Sequence, residues 1–113
     1  MRNDDRVRVA HMVDAAKSIA QFIAGRQRSD LDEDQMLLFA VVRAIEVLGE
    51  AASRMSEEAR SQSPHIRWRS IISMRNRLVH EYFDIDPEIV WKTATAEIPL
   101  LLPSLQALAE ERE

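Results

Sequence analysis

The residues able to do chemistry are concentrated in one stretch, Met74-Arg75-Asn76-Arg77-Leu78-Val79-His80-Glu81-Tyr82-Phe83. Arginine is a permanently charged fork that can grip a phosphate through two parallel N–H bonds. Histidine titrates near neutral pH, so it can trade a proton with a ribose 2′-hydroxyl or a leaving 5′-oxygen. In such a site Arg75 would hold the phosphodiester and offset charge in the transition state, and His80 would move the proton. Asn76 would orient the imidazole or a phosphate oxygen. RNA supplies its own nucleophile in the 2′-hydroxyl, so this chemistry needs no metal. Each residue also has a plainer use. Arg75 can bridge a carboxylate such as Glu50, and His80 can cap the end of its helix. Asn76 can tie down the backbone, and Tyr82 can be a core aromatic with its hydroxyl at the rim. Arg69 and Arg77 are either ordinary surface charges or groups that guide RNA.

On a helical wheel at about 100° per residue, Trp68, Ile71, Ile72, Leu78, Val79 and Tyr82 share one arc, with Arg75 at its middle. Arg69, Ser73, Asn76 and His80 line one edge, and Arg77 and Glu81 point away. A guanidinium centred on an apolar face needs an anion, because burying it unpaired costs several kcal/mol. Arg75 and His80 lie about 140° apart on an ideal helix. They converge only if the helix loosens near His80 or if two copies meet.

The elements that must position this stretch read as helices. Val9, Val13, Ala16, Ala20 and Ile23 give a first amphipathic helix over residues 4–24, closed by Gly25. Ser29-Asp30 caps a long second helix over residues 31–60, with a stripe from Leu37 through Val41, Ala44 and Leu48 to Met55. Phe39 and Val42 lie off that stripe, which calls for a second partner, either another subunit or a fifth helix. Glu50 and Arg54 stand in the favourable order for an i,i+4 pair. Ser61-Gln62-Ser63-Pro64 is a break, and a third helix from Arg67 or Trp68 carries the motif and fades between residues 82 and 84. Asp86-Pro87-Glu88 starts a last helix. Its rhythm of Trp91, Ala94, Ile98, Leu101, Leu105 and Leu108 runs through Pro99 and Pro103, so it is one kinked helix or two nearly collinear ones. The expected fold is all-α, an antiparallel four- to five-helix bundle.

Composition agrees with that fold. The chain has 113 residues, 46% of them apolar, with two Gly and four Pro, which fits a single helical domain. No apolar run approaches the roughly 20 residues that cross a bilayer. The N-terminus is charged and leads into no secretory apolar core. Without cysteine, disulfides and thiolate metal sites are excluded, and a cytoplasmic location is expected. His11, His65 and His80 share no helical spacing and have no carboxylate cluster, so no metal site is expected. A net charge of −4 argues against indiscriminate nucleic-acid binding. The charge is uneven, however. Six arginines face two glutamates between Arg54 and His80, whereas eight acids face Lys92 and Arg112 from Glu81 onward.

Arg75-x4-His80-x-Tyr82 resembles the Arg-x4–6-His motif of HEPN domains, in the form found in HepT toxins. The likeness extends in order and spacing to Leu48-Gly49-Glu50-Ala51-Ala52, Trp68-Arg69-Ser70-Ile71, and Ile85-Asp86 through Val90-Trp91. It covers roughly residues 5–110. The resemblance implies a compact all-α HEPN fold, a homodimer whose two motifs line a shared cleft, and no cofactor. It also implies a metal-independent endoribonuclease, the toxin of a toxin–antitoxin pair. The partner would be an MntA-type nucleotidyltransferase antitoxin that transfers AMP to Tyr82. In the family pattern Glu50 recurs, which makes it a candidate support for the site. A different class of function stays open: a non-catalytic HEPN module that binds a nucleotidyltransferase partner or a nucleotide.

Overall fold

A computed structural model describes residues 1–81 and 84–111, with residues 79–81 described by their backbone. Tyr82 therefore lies outside the described residues. The architecture is the helical bundle expected from the sequence, and among the described residues the one strand pairing is a short ladder between residues 79–81 and 84–85. Helix α1 (Asn3–Ile23) buries Val9, Met12, Val13, Ala16 and Ile19. Ile19 rather than Ala20 completes its inner face. Gly25, at φ +72°, ends this segment in the left-handed conformation that glycine adopts without penalty.

The single long second helix expected over residues 31–60 is three helices. One short turn, α2 (Asp30–Glu33), precedes α3 (Gln35–Ser53), and α4 (Glu57–Gln62) follows. The first break falls at Asp34, which is extended (φ −118°) and accepts a hydrogen bond from the Leu37 amide at 3.1 Å. Asp34, not Ser29 or Asp30, is the cap that starts the main helix. The second break is held by Ser56, whose hydroxyl caps α4 by accepting from Ala59 N at 3.1 Å. Helix α3 lies against α1 on one side and against the motif segment on the other. Of the two residues off its main stripe, Val42 is buried and Phe39 is half-exposed.

The motif segment also breaks. Helix α5 (Trp68–Ile72) stops at Ser73, α6 (Met74–Leu78) is a separate turn, and the chain then extends as β1 (Val79–Glu81). Strand β1 pairs antiparallel with β2 (Asp84–Ile85), with Val79 opposite Ile85. The Asp86 amide donates to Leu78 O at 2.7 Å, closing the ladder onto the end of α6. A continuous helix to residue 82 is thus replaced by two short turns and a strand. The backbone bonds that a longer helix would have made are taken by β2 instead.

The last helix runs as expected. Asp86 caps α7 (Pro87–Lys92) through the Glu88 and Ile89 amides. A π-helical segment, Thr93–Glu97, then leads without interruption into α8 (Ile98–Glu110). The wider π turn lies immediately before Pro99, whose ring and missing N–H disturb the preceding turn of an α-helix. Ala94, Ile98, Leu105 and Leu108 are buried along the expected seam. Among the described residues no helix is long and apolar enough to cross a membrane.

One polar group is buried between the first and fourth helices. Asp5, 2% exposed, accepts from Ser56 N at 2.8 Å and from Ser56 Oγ at 2.7 Å. Burial pushes its carboxyl up, but the two Ser56 bonds and the charges of Arg2 and Arg8 outweigh it and hold the group below its ordinary value of 3.8. A depressed folded-state value contributes stability that is present above the unfolded value and lost as pH falls through the folded one. Asp5→Asn is therefore expected to lower stability near pH 6 by about 1–3 kcal/mol. The gap between variant and wild type should close as pH falls below the ordinary carboxylate value, which urea denaturation at a series of pH values measures.

Candidate active site

Arg75 lies on α6, and its position depends on how closely α3 approaches α5. That approach occurs at Gly49. A methyl group placed there would meet the Ile71 carbonyl oxygen at 3.1 Å and the Ile72 oxygen at 3.6 Å. With no side chain at Gly49, the end of α5 rests on α3 and the next turn, α6, begins beside Glu46. Arg75 Nε then donates to Glu46 Oε2 at 2.6 Å. The Arg75 side chain is 54% exposed and that of Glu46 26%.

The placement corrects the wheel in two respects. Arg75 is not centred on a buried apolar arc: the helix breaks at Ser73, and the guanidinium carried by α6 is at the surface. Its carboxylate partner is Glu46, not Glu50. Glu50 lies one turn further along α3 and pairs with Arg54 at 3.0 Å, with both side chains more than half exposed. That contact is the local i,i+4 pair allowed for by their spacing, worth little by itself. Glu50 faces an open groove shared with Arg8, His11 and Arg43 rather than Arg75.

Asn76 is exposed on α6, and its amide donates to Ser73 O at 3.0 Å. His80 is in β1, two residues beyond the end of α6. The helix does loosen just before His80, so the 140° separation calculated for an ideal helix no longer applies. Arg69 is exposed on α5. Arg77 has an internal task. Its Nη1 donates to Glu97 Oε1 at 2.9 Å and its Nη2 to Ser70 O at 3.0 Å, joining α5, α6 and the π-helical segment. Arg75 and Asn76 are thus exposed on α6, His80 follows in the next strand, and Arg77 is tied to Ser70 and Glu97.

Glu46 is the residue that sequence inspection passed over. Its signal is weak: an acid one turn before Glu50 in Leu48-Gly49-Glu50, on a helix otherwise rich in Leu, Val and Ala. Only the contact with α6 gives it a partner. Among the described residues the terminal nitrogens of Arg75 have no partner, so Glu46 occupies one edge of the guanidinium and leaves the fork open. A half-exposed fork of this kind can take two oxygens of a phosphate.

The family model described as "Ribonuclease HepT-like" matches residues 12–108. The chain belongs to the HepT-like ribonuclease family. A protein named "Probable ribonuclease HepT", from Thermococcus cleftensis, is 31% identical over 96% of this chain and 98% of its own length. "Putative RNase MJ1216" from Methanocaldococcus jannaschii is 32% identical over 84% of this chain and 78% of its own. "Putative RNase TTE0752" from Caldanaerobacter subterraneus subsp. tengcongensis is 29% identical over 91% and 92%. No solved structure matches the chain. In this HepT-like protein the Arg-x4-His spacing spans the end of a short helix and the first strand of a two-strand ladder, not one continuous helix.

If the Gly49 contact sets the position of α6, adding bulk there should be costly. Gly49→Val is expected to lower stability by about 1–3 kcal/mol, because the displaced neighbour is backbone. Gly49→Ala should cost less, since a helix-propensity gain of about 1 kcal/mol offsets a smaller displacement. Chemical denaturation of both variants against wild type checks the order.

Proposed function

We propose that this HepT-like protein is a metal-independent endoribonuclease and the toxin of a HEPN/nucleotidyltransferase toxin–antitoxin pair. Arg75 holds the scissile phosphate and His80 moves the proton. The 2′-oxygen attacks phosphorus, the bond to the 5′-oxygen breaks, and a 2′,3′-cyclic phosphate and a 5′-hydroxyl result. His80 takes the proton from the 2′-hydroxyl or supplies one to the leaving oxygen. The observation that carries this reading is the Arg75 guanidinium: half-exposed, held at one edge by Glu46, and one turn ahead of the strand that bears His80. Membership of a ribonuclease family and the RNase names of the relatives support it. Asn76 is exposed on the same turn and available to orient a phosphate oxygen.

The regulatory partner in this reading is an MntA-type nucleotidyltransferase that attaches AMP to Tyr82. The added phosphate would compete with RNA for the Arg75 fork, by the same charge logic as phosphorylation. The active form is a homodimer. Support comes from the apolar side chains that α1 and α3 leave exposed among the described residues, Val7, Phe22, Phe39 and Met36, the last at 83%. Large apolar side chains gathered on one face mark an interaction surface. Glu46 lies on the flank of α3 next to this face, so two copies meeting there would bring both Arg75 sites toward a common cleft.

The purified protein is expected to cleave single-stranded RNA in excess chelator. Arg75→Ala and His80→Ala should each lower the rate by about 100-fold or more without loss of helical circular dichroism. Undiminished cleavage by both variants would overthrow the assignment. Phe39→Asp is expected to convert the dimer to a monomer in sedimentation analysis, and a wild-type protein that sediments as a monomer at high concentration would remove the dimer.

A further inference from the structure

We infer that Glu46 is a positioning residue, which fixes the Arg75 guanidinium edge-on so that its two terminal nitrogens meet a phosphodiester of the RNA. The inference rests on the proposed role of Arg75 in binding the scissile phosphate. Arginine can meet a carboxylate through its outer fork or through its Nε edge. Here Nε donates to Glu46 Oε2 at 2.6 Å. Using Nε for the protein leaves the fork, with its parallel N–H bonds, for the substrate.

The two partners differ in freedom. The Glu46 side chain is about three-quarters buried, on a long helix packed against α1 and α5, whereas that of Arg75 is more than half exposed on a single turn. Glu46 is thus the fixed member and Arg75 the one it restrains. Two other ion pairs of the described residues near the motif lack this asymmetry. Glu50–Arg54 joins neighbouring turns of one segment, and Arg77–Glu97 is about equally exposed on both sides. A half-exposed ion pair adds little to folding, whereas orienting a flexible arginine before substrate arrives speeds a reaction that depends on geometry. The carboxylate also has an opposing effect. Its negative charge lies beside the site of an incoming phosphate and weakens ground-state attraction.

Those two effects separate in variants. Glu46→Ala removes both the hydrogen bond and the charge, whereas Glu46→Gln keeps an acceptor for Nε and removes only the charge. The test is cleavage of a fluorescently labelled single-stranded RNA by full-length wild type, Glu46→Ala, Glu46→Gln and Arg75→Ala. Exchange of the Arg75 Nε proton is followed in parallel by nitrogen-15 NMR, with Arg75→Lys assigning the resonance. Glu46→Ala is expected to lower kcat by about 10- to 100-fold with KM unchanged or reduced. Glu46→Gln is expected to retain kcat to within about threefold, with KM no higher than wild type, a recovery that a merely structural role would not produce. The Nε proton should exchange slowly in wild type and Glu46→Gln and rapidly in Glu46→Ala. Wild-type kcat in Glu46→Ala, or a Gln variant as impaired as the Ala variant, would overturn the inference. Cleavage by Arg75→Ala at the wild-type rate, or no cleavage by wild type, would instead refute the ribonuclease role of Arg75. In that event equal Nε exchange in wild type and Glu46→Ala would also refute the restraint by Glu46.

Discussion

The close approach of α3 to the end of α5 is the constraint on which the site depends. It exists because residue 49 has no side chain to hold the Ile71 and Ile72 carbonyls away. The next turn, α6, also packs on α3. That turn delivers Arg75 to Glu46.

The opposite side of α6 is secured separately. Arg77 reaches back to the Ser70 carbonyl and across to Glu97, in the π-helical segment ahead of Pro99. Arg75 and Arg77 are two residues apart and about 200° apart around a helical turn, so one faces α3 and the other faces the last helix. A single helical turn is marginal alone. Gripped on both faces, and closed at its end by the bond from Asp86 N to Leu78 O, it becomes a defined platform. The strand bearing His80 starts from that platform.

Charge has a similar division. The chain is acidic overall, yet arginine dominates between residues 54 and 80. Part of that positive charge is paired with acids of the same chain: Arg54 with Glu50 and Arg77 with Glu97. Arg75 is paired too, but through one edge only, and its surface exposure keeps the fork accessible. The local positive excess thus reduces to a few groups that can meet a polyanion, consistent with a protein that engages RNA at a site rather than along a broad basic surface.

The amino-acid sequence alone determined the helical class, the seams of the first and last helices, the Asp86-Pro87 start and the motif itself. Each is a local matter of periodicity, capping and residue type, and the run through Pro99 and Pro103 was legible because its buried residues keep their spacing. The breaks in the second and third helices were not legible. Asp34 and Ser56 can lie inside a helix or at its cap, and at Ser56 the cap is fixed by Asp5, fifty-one residues away in sequence. The departure from helix after Leu78 was decided by a pairing with Asp84 and Ile85. The partner of Arg75 was decided by the packing at Gly49. A helical wheel assumes one continuous helix, and the helix breaks at Ser73, so an arginine expected at the centre of a buried face lies instead at the surface against Glu46.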